Sequence, residues 1–588
     1  MSKILSIAAT FHDCGVAYIE DGKIVCALEE ERFKRLKGIF NQFSFPELSL
    51  QALKNQFGVS PFDEDVIVVM PKPVVCGLDY IKQILERKDI YLFEHHECHA
   101  ATAFLLSGFT GDATILTLDG GDSNGISERV LNAEVFEKIV QQKLPFRKTD
   151  IPEEEYIEFV TKAKINDERF PVQVYVPEGS YLTQQKAFSD SCYLSIHKTY
   201  QGKIVDSEYY RESNSLATFW DYYCGINGLF GGKDEGKIVG LAAQGKFNED
   251  IYKNIGKFFS FDGDPNWKHF YNVKEYLDSL DLKGNLDLRK DGAYMVQMFS
   301  EQYILELVNW IKLKHPTSSK LALAGGLFSN VKINQMINEY SEFDEIFIAP
   351  AMGDGGLALG AALSKSNELG EFYPQQVQDV FWGITTNYEH SPEGLTYNPY
   401  SPSYVADLLA QGKVVGVFSN RREWGPRALG STSILYDPRD KNSQSYINSR
   451  LDRNEEMPFA PMVLAGHESE LFHCYKSKYA SKFMTICYDV KEQWAQKIPG
   501  VINVHDNTAR IQIVENSNEP CYSILEKFYK ITQIPALMNT SFNIHGEPII
   551  NEVQDGFKHL RNNVVDYLVV GDKVYRKTEN SLENLFEI

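Results

Sequence analysis

Short β-rich runs that break into polar, glycine-containing turns occur twice in this chain, and they constrain its fold more than any other feature. The opening segment runs Ile4 to Thr10, Gly15 to Ile19 and Ile24 to Leu28, with Asp21-Gly22 between the last two. An Asp-Gly pair flanked by such runs predicts a hairpin. A similar unit follows where Ala113 to Leu118 runs into Asp119-Gly120-Gly121-Asp122. Two such units predict a duplicated α/β fold with its ligand between the halves. Acidic turns after strands are common, so the prediction needs support from residues elsewhere.

The chain has 588 residues, enough for two to four domains with a large buried core. Its 43% hydrophobic and 24% charged residues are those of a globular protein, and 13% aromatic content suits α/β cores and stacking pockets alike. The net charge of -21 argues against broad wrapping of nucleic acid or an anionic membrane surface, while leaving room for a local basic groove. The start, MSKILSIAATFHDCG, breaks at a His-Asp pair and reads as a first strand, not a signal peptide. No stretch approaches 18 uncharged apolar residues, so no membrane span is expected. Nine cysteines, an odd number without a C-x-x-C pair, fit buried thiols in a reducing cytoplasm better than disulfides or a zinc ribbon.

From Glu128 to Phe219 the pattern weakens into a polar, Tyr-rich stretch that reads as an insertion or lid. Helical spacing resumes from Met295 to Lys314. The strands Leu321 to Ala324 and Ile346 to Ala349 then lead into Gly325-Gly326 and Gly353-Asp354-Gly355-Gly356. After Leu363 a Ser/Asn/Gln/Pro-rich stretch without strand or helix period is the best linker, and a second α/β unit begins with Val414 to Phe418. The expected division is therefore residues 1–365, with an insertion near 130–220, a linker over 366–400, and a second domain over 401–588.

His95 and His99 stand four apart before an Ala-rich stretch, so on a helix both face one side and can grip one metal ion. Surface histidines are an equally good account of that spacing alone. Asp119 and Asp354, at a strand end and a helix start, shift the balance by supplying carboxylates. Two imidazoles and two carboxylates suit iron, manganese or zinc without choosing among them. Gly231 to Lys237 satisfies G-x-x-x-x-G-K, but Ile238 lacks the hydroxyl that a P-loop uses on magnesium, so Lys237 is a phosphate ligand of some other fold or an ordinary turn lysine. Gly325, Gly326 and Asn330 would let a nucleotide approach the backbone. Asp354 can also be a simple helix cap. In the second domain Arg421, Arg422 and Arg427 fall within seven residues beside Trp424 and Pro426, with Arg510, Ser541 and Asn543 further on. Guanidinium forks with hydroxyl and amide donors are what an anionic phosphate needs, and the interleaved aromatic and Pro-Gly residues disfavour a plain salt-bridge surface.

With these residues together, the chain resembles the O-carbamoyltransferase family of nodulation-factor and antibiotic biosynthesis over nearly its whole length outside about 130–220. The marks are Phe11-His12-Asp13, Glu29-Glu30-Glu31-Arg32-Phe33, His95-His96-x-x-His99-Ala100, Asp234-Glu235-Gly236-Lys237, Gly425-Pro426-Arg427-Ala428-Leu429-Gly430, Pro458-Phe459-Ala460-Pro461 and Asn539-Thr540-Ser541-Phe542-Asn543. The resemblance implies an N-terminal domain of the actin and sugar-kinase (ASKHA) superfamily, like the threonylcarbamoyl transferases, and a C-terminal YrdC-like α/β domain. It implies that the C-terminal domain makes carbamoyladenylate from ATP and carbamoyl phosphate, and that the N-terminal domain passes the carbamoyl group to a hydroxyl. On matching positions it makes His95, His99, Asp119 and Asp354 metal ligands. His12 and Asp234 become candidates for acceptor activation, and Arg421, Arg427, Arg510, Ser541 and Asn543 the carbamoyl phosphate and adenylate site. Magnesium can accompany ATP. Thr432 and Met457 depart from residues, both Arg, that many members carry.

The chemistry supports such a division. A mixed anhydride with AMP is a better carbamoyl donor to a neutral alcohol than carbamoyl phosphate is, a Lewis acid polarises its carbonyl, and a His or Asp takes the hydroxyl proton. The ready hydrolysis of that anhydride calls for a water-poor passage between the two sites. The expected acceptor is a sugar or other small natural product. A hydroxymethylated pyrimidine, free or in DNA, is the alternative, for which Lys138, Lys143, Arg147, Lys162 and Lys164 would serve. A sugar-kinase-like phosphotransferase and a non-catalytic nucleotide- or metal-binding module are the competing classes, told apart by ADP production and by the absence of pyrophosphate release.

Overall fold

The computed structural model describes residues 2–10, 13–37, 45–72, 81–82, 85–120, 192–211, 215–229, 231, 234–385, 392–419, 421–453, 458–473, 476–477 and 479–578. The expected opening hairpin is present. β1 (Lys3–Ala9) and β2 (Cys14–Glu20) pair antiparallel, and β2 turns through Asp21 and Gly22, both at positive φ, into β3 (Lys23–Glu29). On its other side β1 pairs parallel with β4 (Val66–Pro71), which pairs parallel with β5 (Ile90–Phe93). β1 is buried from Ile4 onward, as expected of a strand covered on both faces.

A second sheet repeats this plan. β6 (Ala113–Leu118) pairs antiparallel with β7 (Cys192–Tyr200), β7 antiparallel with β8 (Lys203–Arg211), and β6 parallel with β9 (Lys320–Ala324), which pairs parallel with β10 (Glu345–Ile348). The orders β3-β2-β1-β4-β5 and β8-β7-β6-β9-β10 are the same, which is the duplication expected from the two turn-bounded units. The insertion expected over Glu128–Phe219 is corrected at its C-terminal end, because residues 192–211 are a hairpin of this central sheet. Its inward residues include Ser195, His197 and Thr199, buried but hydrogen-bonded, so no apolar alternation marks the strand. Residues 121–191 lie outside the described residues, and with them the lysines and arginine suggested for nucleic acid.

Each half ends in a helix after its fifth strand. His95–Leu105 follows β5 and Leu357–Glu368 follows β10, and the two pack on each other. Gly360 makes that crossing tight, since a Cβ there would stand 2.1 Å from the Cys98 carbonyl oxygen. The crossing brings equivalent ends of the two halves to one place.

The C-terminal region is an eight-stranded mixed sheet of order β11-β20-β19-β12-β13-β18-β14-β17. Its members used below are β12 (Val415–Phe418), β13 (Thr432–Tyr436), β14 (Ala460–Leu464), β17 (Gln512–Val514) and β18 (Ala536–Ser541), and β15 (Cys487–Asp489) pairs separately with β16 (Thr508–Arg510). β11 (Leu395–Pro399) pairs antiparallel with β20 (Lys573–Lys577), so the end of the stretch expected to be linker belongs to this sheet. It is an edge strand with no fully buried residue and an irregular pattern, which is why its sequence carries no period. One continuous apolar cluster runs from β1 to β20. The seven described cysteines are free and buried, and no helix among the described residues is long and apolar enough to cross a membrane.

Candidate active site

The helix after β5 puts His95 and His99 one turn apart, both buried, at its first turn. Their Nε2 atoms lie 3.1 Å from each other. Asp119, just beyond β6, brings Oδ2 to 3.0 Å from His99 Nε2 and 3.9 Å from His95 Nε2. Asp354, beyond β10, brings Oδ1 to 3.3 Å and 3.5 Å from the same two nitrogens. All four ligand atoms fall within 4.8 Å of one another. Bonds of about 2.0–2.2 Å from N and O ligands to one divalent ion put neighbouring ligands roughly 3.0–3.5 Å apart, so the donor set fits a single first-row ion. Both Nδ1 atoms are buried without a partner, leaving Nε2 as the nitrogen each ring presents to the cluster.

The backbone is built around this cluster. Gly325 sits at φ +105°, where a Cβ would stand 2.1 Å from the Leu118 carbonyl oxygen, and Gly326 N–H donates to Asp119 Oδ2 at 2.9 Å. The glycine pair expected to admit a nucleotide thus lies against the Asp119 carboxylate of the cluster. Ser215 Oγ and Thr218 Oγ1, at the start of helix Leu216–Ile226, donate to the Asp119 and Gly120 carbonyls. A buried chain of polar contacts ties the helix to the sheet: His96 Nδ1 with Thr117 Oγ1 at 2.5 Å, Thr117 with Ser195 at 2.6 Å, and Ser195 with His197 Nε2 at 2.7 Å. Burial keeps His197 neutral, its pKa down at about 4.

Charge balance is internal here. Burial opposes a proton on His95 or His99, but Asp354 and Asp119 outweigh it and raise both imidazoles above their ordinary range. Burial likewise works against the charge on Asp119 and Asp354, yet the histidines hold both carboxyls below the usual range.

The other expected residues are placed as follows. His12 and Met457 lie outside the described residues. Asp234 precedes helix Glu235–Ala242, and Lys237 Nζ reaches its Oδ1 at 3.3 Å. Asn330 caps helix Val331–Tyr340 through Lys332 and Ile333 N–H, and donates to Gln297. Arg421 donates to the carbonyls of Gly383, Trp382 and Val25, so it bridges the two domains and is not drawn to the other arginines. Thr432 is buried on the Glu423 carboxylate through its hydroxyl and its N–H. Asn543 donates to Ile544 and Glu547 carbonyls, while Ser541 accepts from Arg453 at 3.3 Å.

The guanidiniums of Arg427 and Arg510 are both buried, close enough for their charges to repel. Each has a buried Nε with no partner, and the Arg510 charge, with burial, pushes Arg427 down to about 9. Burial also lowers Arg510. The loop that carries Arg427 is held from below: Asn539 on β18 donates to the Ala428 carbonyl at 3.0 Å and Gln512 on β17 to the Leu429 carbonyl at 2.8 Å, with Asn539 donating to Gln512. Among the described residues no carboxylate pairs with either guanidinium, an arrangement that would suit an anion.

Sequence reasoning singled out Glu29 to Phe33 without giving any of these residues a role. Glu30 is fully buried and accepts from Leu48 N–H, Ser49 N–H and Ser49 Oγ, so it anchors helix Glu47–Phe57. Burial pushes the neighbouring Glu29 carboxyl up to about 7, against the pull of Arg32. An unbroken run of acids at the start of a short helix is the available signal, but it does not say which acid turns inward.

Comparisons with known proteins agree across both domains. Residues 69–363 match the carbamoyltransferase N-terminus and residues 406–577 the carbamoyltransferase C-terminus. An uncharacterized protein of Methanocaldococcus jannaschii is 30% identical over 518 residues, covering 84% of this chain and 74% of that protein. Nodulation protein NolO of Bradyrhizobium diazoefficiens is 34% identical over 407 residues, covering 63% of this chain and 71% of its own length. Among solved structures, component A of (R)-2-hydroxyglutaryl-CoA dehydratase from Acidaminococcus fermentans aligns at 13% identity and a TM-score of 0.35, over 63% of this chain and 100% of that one.

Proposed function

The chain belongs to the carbamoyltransferase family and is an enzyme of that class, and from that premise we propose that it uses ATP and carbamoyl phosphate to carbamoylate a hydroxyl of a sugar or other small natural product. The observation that carries this reading is the presence of unlike charged clusters in one chain: His95, His99, Asp119 and Asp354, which could hold a cation, in the duplicated N-terminal domain, and two arginines with buried guanidiniums and no carboxylate partner among the described residues, Arg427 and Arg510, in the C-terminal one. On this reading the N-terminal domain is of the actin and sugar-kinase type, supported by its repeated strand order, and the C-terminal domain is of the YrdC type.

Arg427 and Arg510 take the phosphate of the donor, with Ser541 at the end of β18 and Asn543 just after it as further polar contacts. Water releases phosphate from carbamoyl phosphate, leaving carbamate. A carbamate oxygen then attacks the α-phosphorus of ATP, and pyrophosphate leaves with carbamoyladenylate formed. Acceptor oxygen attack on the carbamoyl carbon expels AMP, and His12 or Asp234 takes the hydroxyl proton. His95, His99, Asp119 and Asp354 would hold a divalent iron, manganese or zinc ion, which when bound supplies Lewis-acid polarisation of the carbamoyl oxygen. Gly325 and Gly326 keep Asp119 in place for that ligand set.

A phosphotransferase of the sugar-kinase type has no need of the arginine pair. The two are separated by incubating the purified chain with ATP, carbamoyl phosphate and a panel of hydroxylated sugars and natural products. Pyrophosphate and AMP that appear only with carbamoyl phosphate, with an acceptor gaining a carbamoyl mass, are the expected result. ADP formation without carbamoyl phosphate would overturn the reading.

A further inference from the structure

The N-terminal domain holds both polar backbone groups of one residue in the arginine loop of the C-terminal domain. Gly425 N–H donates to Glu29 Oε1 at 3.2 Å, and Arg32 Nη2 donates to the Gly425 carbonyl at 2.6 Å. Arg32 Nε in turn donates to Glu29 Oε2 at 2.7 Å, so one ion pair satisfies both polar groups of a single backbone residue. Gly425 is at φ +104°, and a Cβ there would meet the Pro350 carbonyl oxygen at 3.3 Å and Ala351 Cβ at 3.5 Å. Its backbone is therefore wedged between the Glu29 and Arg32 side chains and the segment that leads from β10 to Asp354. A Cβ on Gly355, next to that ligand, would lie 3.7 Å from Glu29 Oε1. Two residues beyond Gly425 is Arg427.

Stability alone does not account for this arrangement. Arg32 is 4% exposed, and its Nη1 is buried with no hydrogen-bond partner. A buried ion pair with an unfilled donor is a poor source of folding energy compared with apolar packing of the same volume. What the pair does supply is direction. Asn539 and Gln512 hold the loop at the Ala428 and Leu429 carbonyls, and the Glu29 and Arg32 bonds to Gly425, which has no side chain of its own to anchor it, fix the loop on the other side of Arg427.

We propose that Glu29 and Arg32 are positioning residues for the anion site of the other domain: they fix the Gly425 peptide so that Arg427 stands against Arg510 and both receive the donor's phosphate. The inference rests on the reading of Arg427 and Arg510 as a phosphate site. It adds that this site is completed by the N-terminal domain, so the domain that spends the carbamoyl group also shapes the place where it is charged.

Equilibrium binding of inorganic phosphate to the full chain, measured by calorimetry, tests the pair without an acceptor or turnover. Glu29→Gln keeps the shape but weakens the acceptor, and it should bind phosphate about tenfold more weakly, as should Arg32→Met. Arg32→Lys, which keeps a donor for the Gly425 carbonyl, should recover part of the loss. Binding of Mn(II) in the same variants should stay within about twofold of the parent, a result that general unfolding would not give. Unchanged phosphate affinity in Glu29→Gln and Arg32→Met would overturn the inference, and so would a parallel loss of Mn(II) binding. Arg427→Met is the control for the underlying reading: if the parent chain binds no phosphate, or Arg427→Met binds it as well as the parent does, the phosphate site itself is wrong and the positioning role falls with it.

Discussion

The histidine-aspartate cluster and the arginine pair are both buried charged sites, but they are opposite in their electrostatics. In the first, imidazoles and carboxylates answer one another, and each group's pKa moves toward its charged form. In the second, two buried guanidiniums repel, and the Arg510 charge with burial lowers Arg427 to about 9. A site whose charges already balance can exchange protons for a cation at little cost. A site of unbalanced like charge is unfavourable until an anion arrives. The comparison shows that burial alone says little about a ligand: what matters is whether the buried charges answer one another or repel.

The sharpest way to break this contrast is to remove the cation side. His95→Ala with His99→Ala should abolish metal binding, a change on the order of 100-fold or more in affinity, while carbamoyl-phosphate-dependent pyrophosphate release continues at the other site. Metal analysis of the purified double variant, read beside its pyrophosphate assay, decides it. Full metal occupancy would mean that the cluster is only an ion-pair network.

The anion side should respond in the reverse sense. Arg427→Met removes one charged hydrogen-bond donor worth roughly 1.5–3 kcal/mol, so KM for carbamoyl phosphate should rise about 10- to 100-fold. Because the change also relieves the repulsion from Arg510, the unfolding midpoint without phosphate should rise, and added phosphate should raise it less than in the parent chain. A midpoint that drops would mean that Arg427 is a structural residue.

Acidity separates the two sites more gently. His95 and His99 have raised pKa values, so without metal they hold their protons to a higher pH than an ordinary imidazole does, and a metal ion must displace them. Asp119 and Asp354 are held below the carboxylate range and stay ionised. Metal affinity should therefore fall as pH falls below the raised imidazole values, by about tenfold per unit for each proton displaced. Phosphate binding to the arginines should not share that dependence between pH 5 and 7 beyond phosphate's own ionisation. Metal titrations at several pH values, with proton release followed in buffers of different ionisation enthalpy, measure the difference.

Much of the first site was legible in the sequence. The hairpin at Asp21-Gly22, the strand Ala113–Leu118 and the helix that starts at His95 follow from turn chemistry and from the two- and four-residue spacings of buried groups. The hairpin of residues 192–211 was hidden because its inner face is built from Ser, His and Thr that satisfy one another, where apolar alternation would have been the signal. Arg421 shows the converse error of proximity. It lies six residues from Arg427 in the chain, yet its guanidinium is spent on carbonyls of Val25, Trp382 and Gly383. Asn330 likewise has a nucleotide-binding look and a capping occupation.

The amino-acid order by itself determined the local elements and the supply of chemistry: imidazoles one helical turn apart, acids at strand ends, glycines where the chain must turn, arginines close in sequence. Each of those follows from interactions across a few residues. Tertiary structure decided which of these groups meet, because the charges left over in each element are answered only across long loops, as when Gly425 meets Glu29 across 396 residues and Gly326 meets Asp119 across 207. Pairings of that kind depend on which strands adjoin and which helices cross, and no local pattern of residues encodes them.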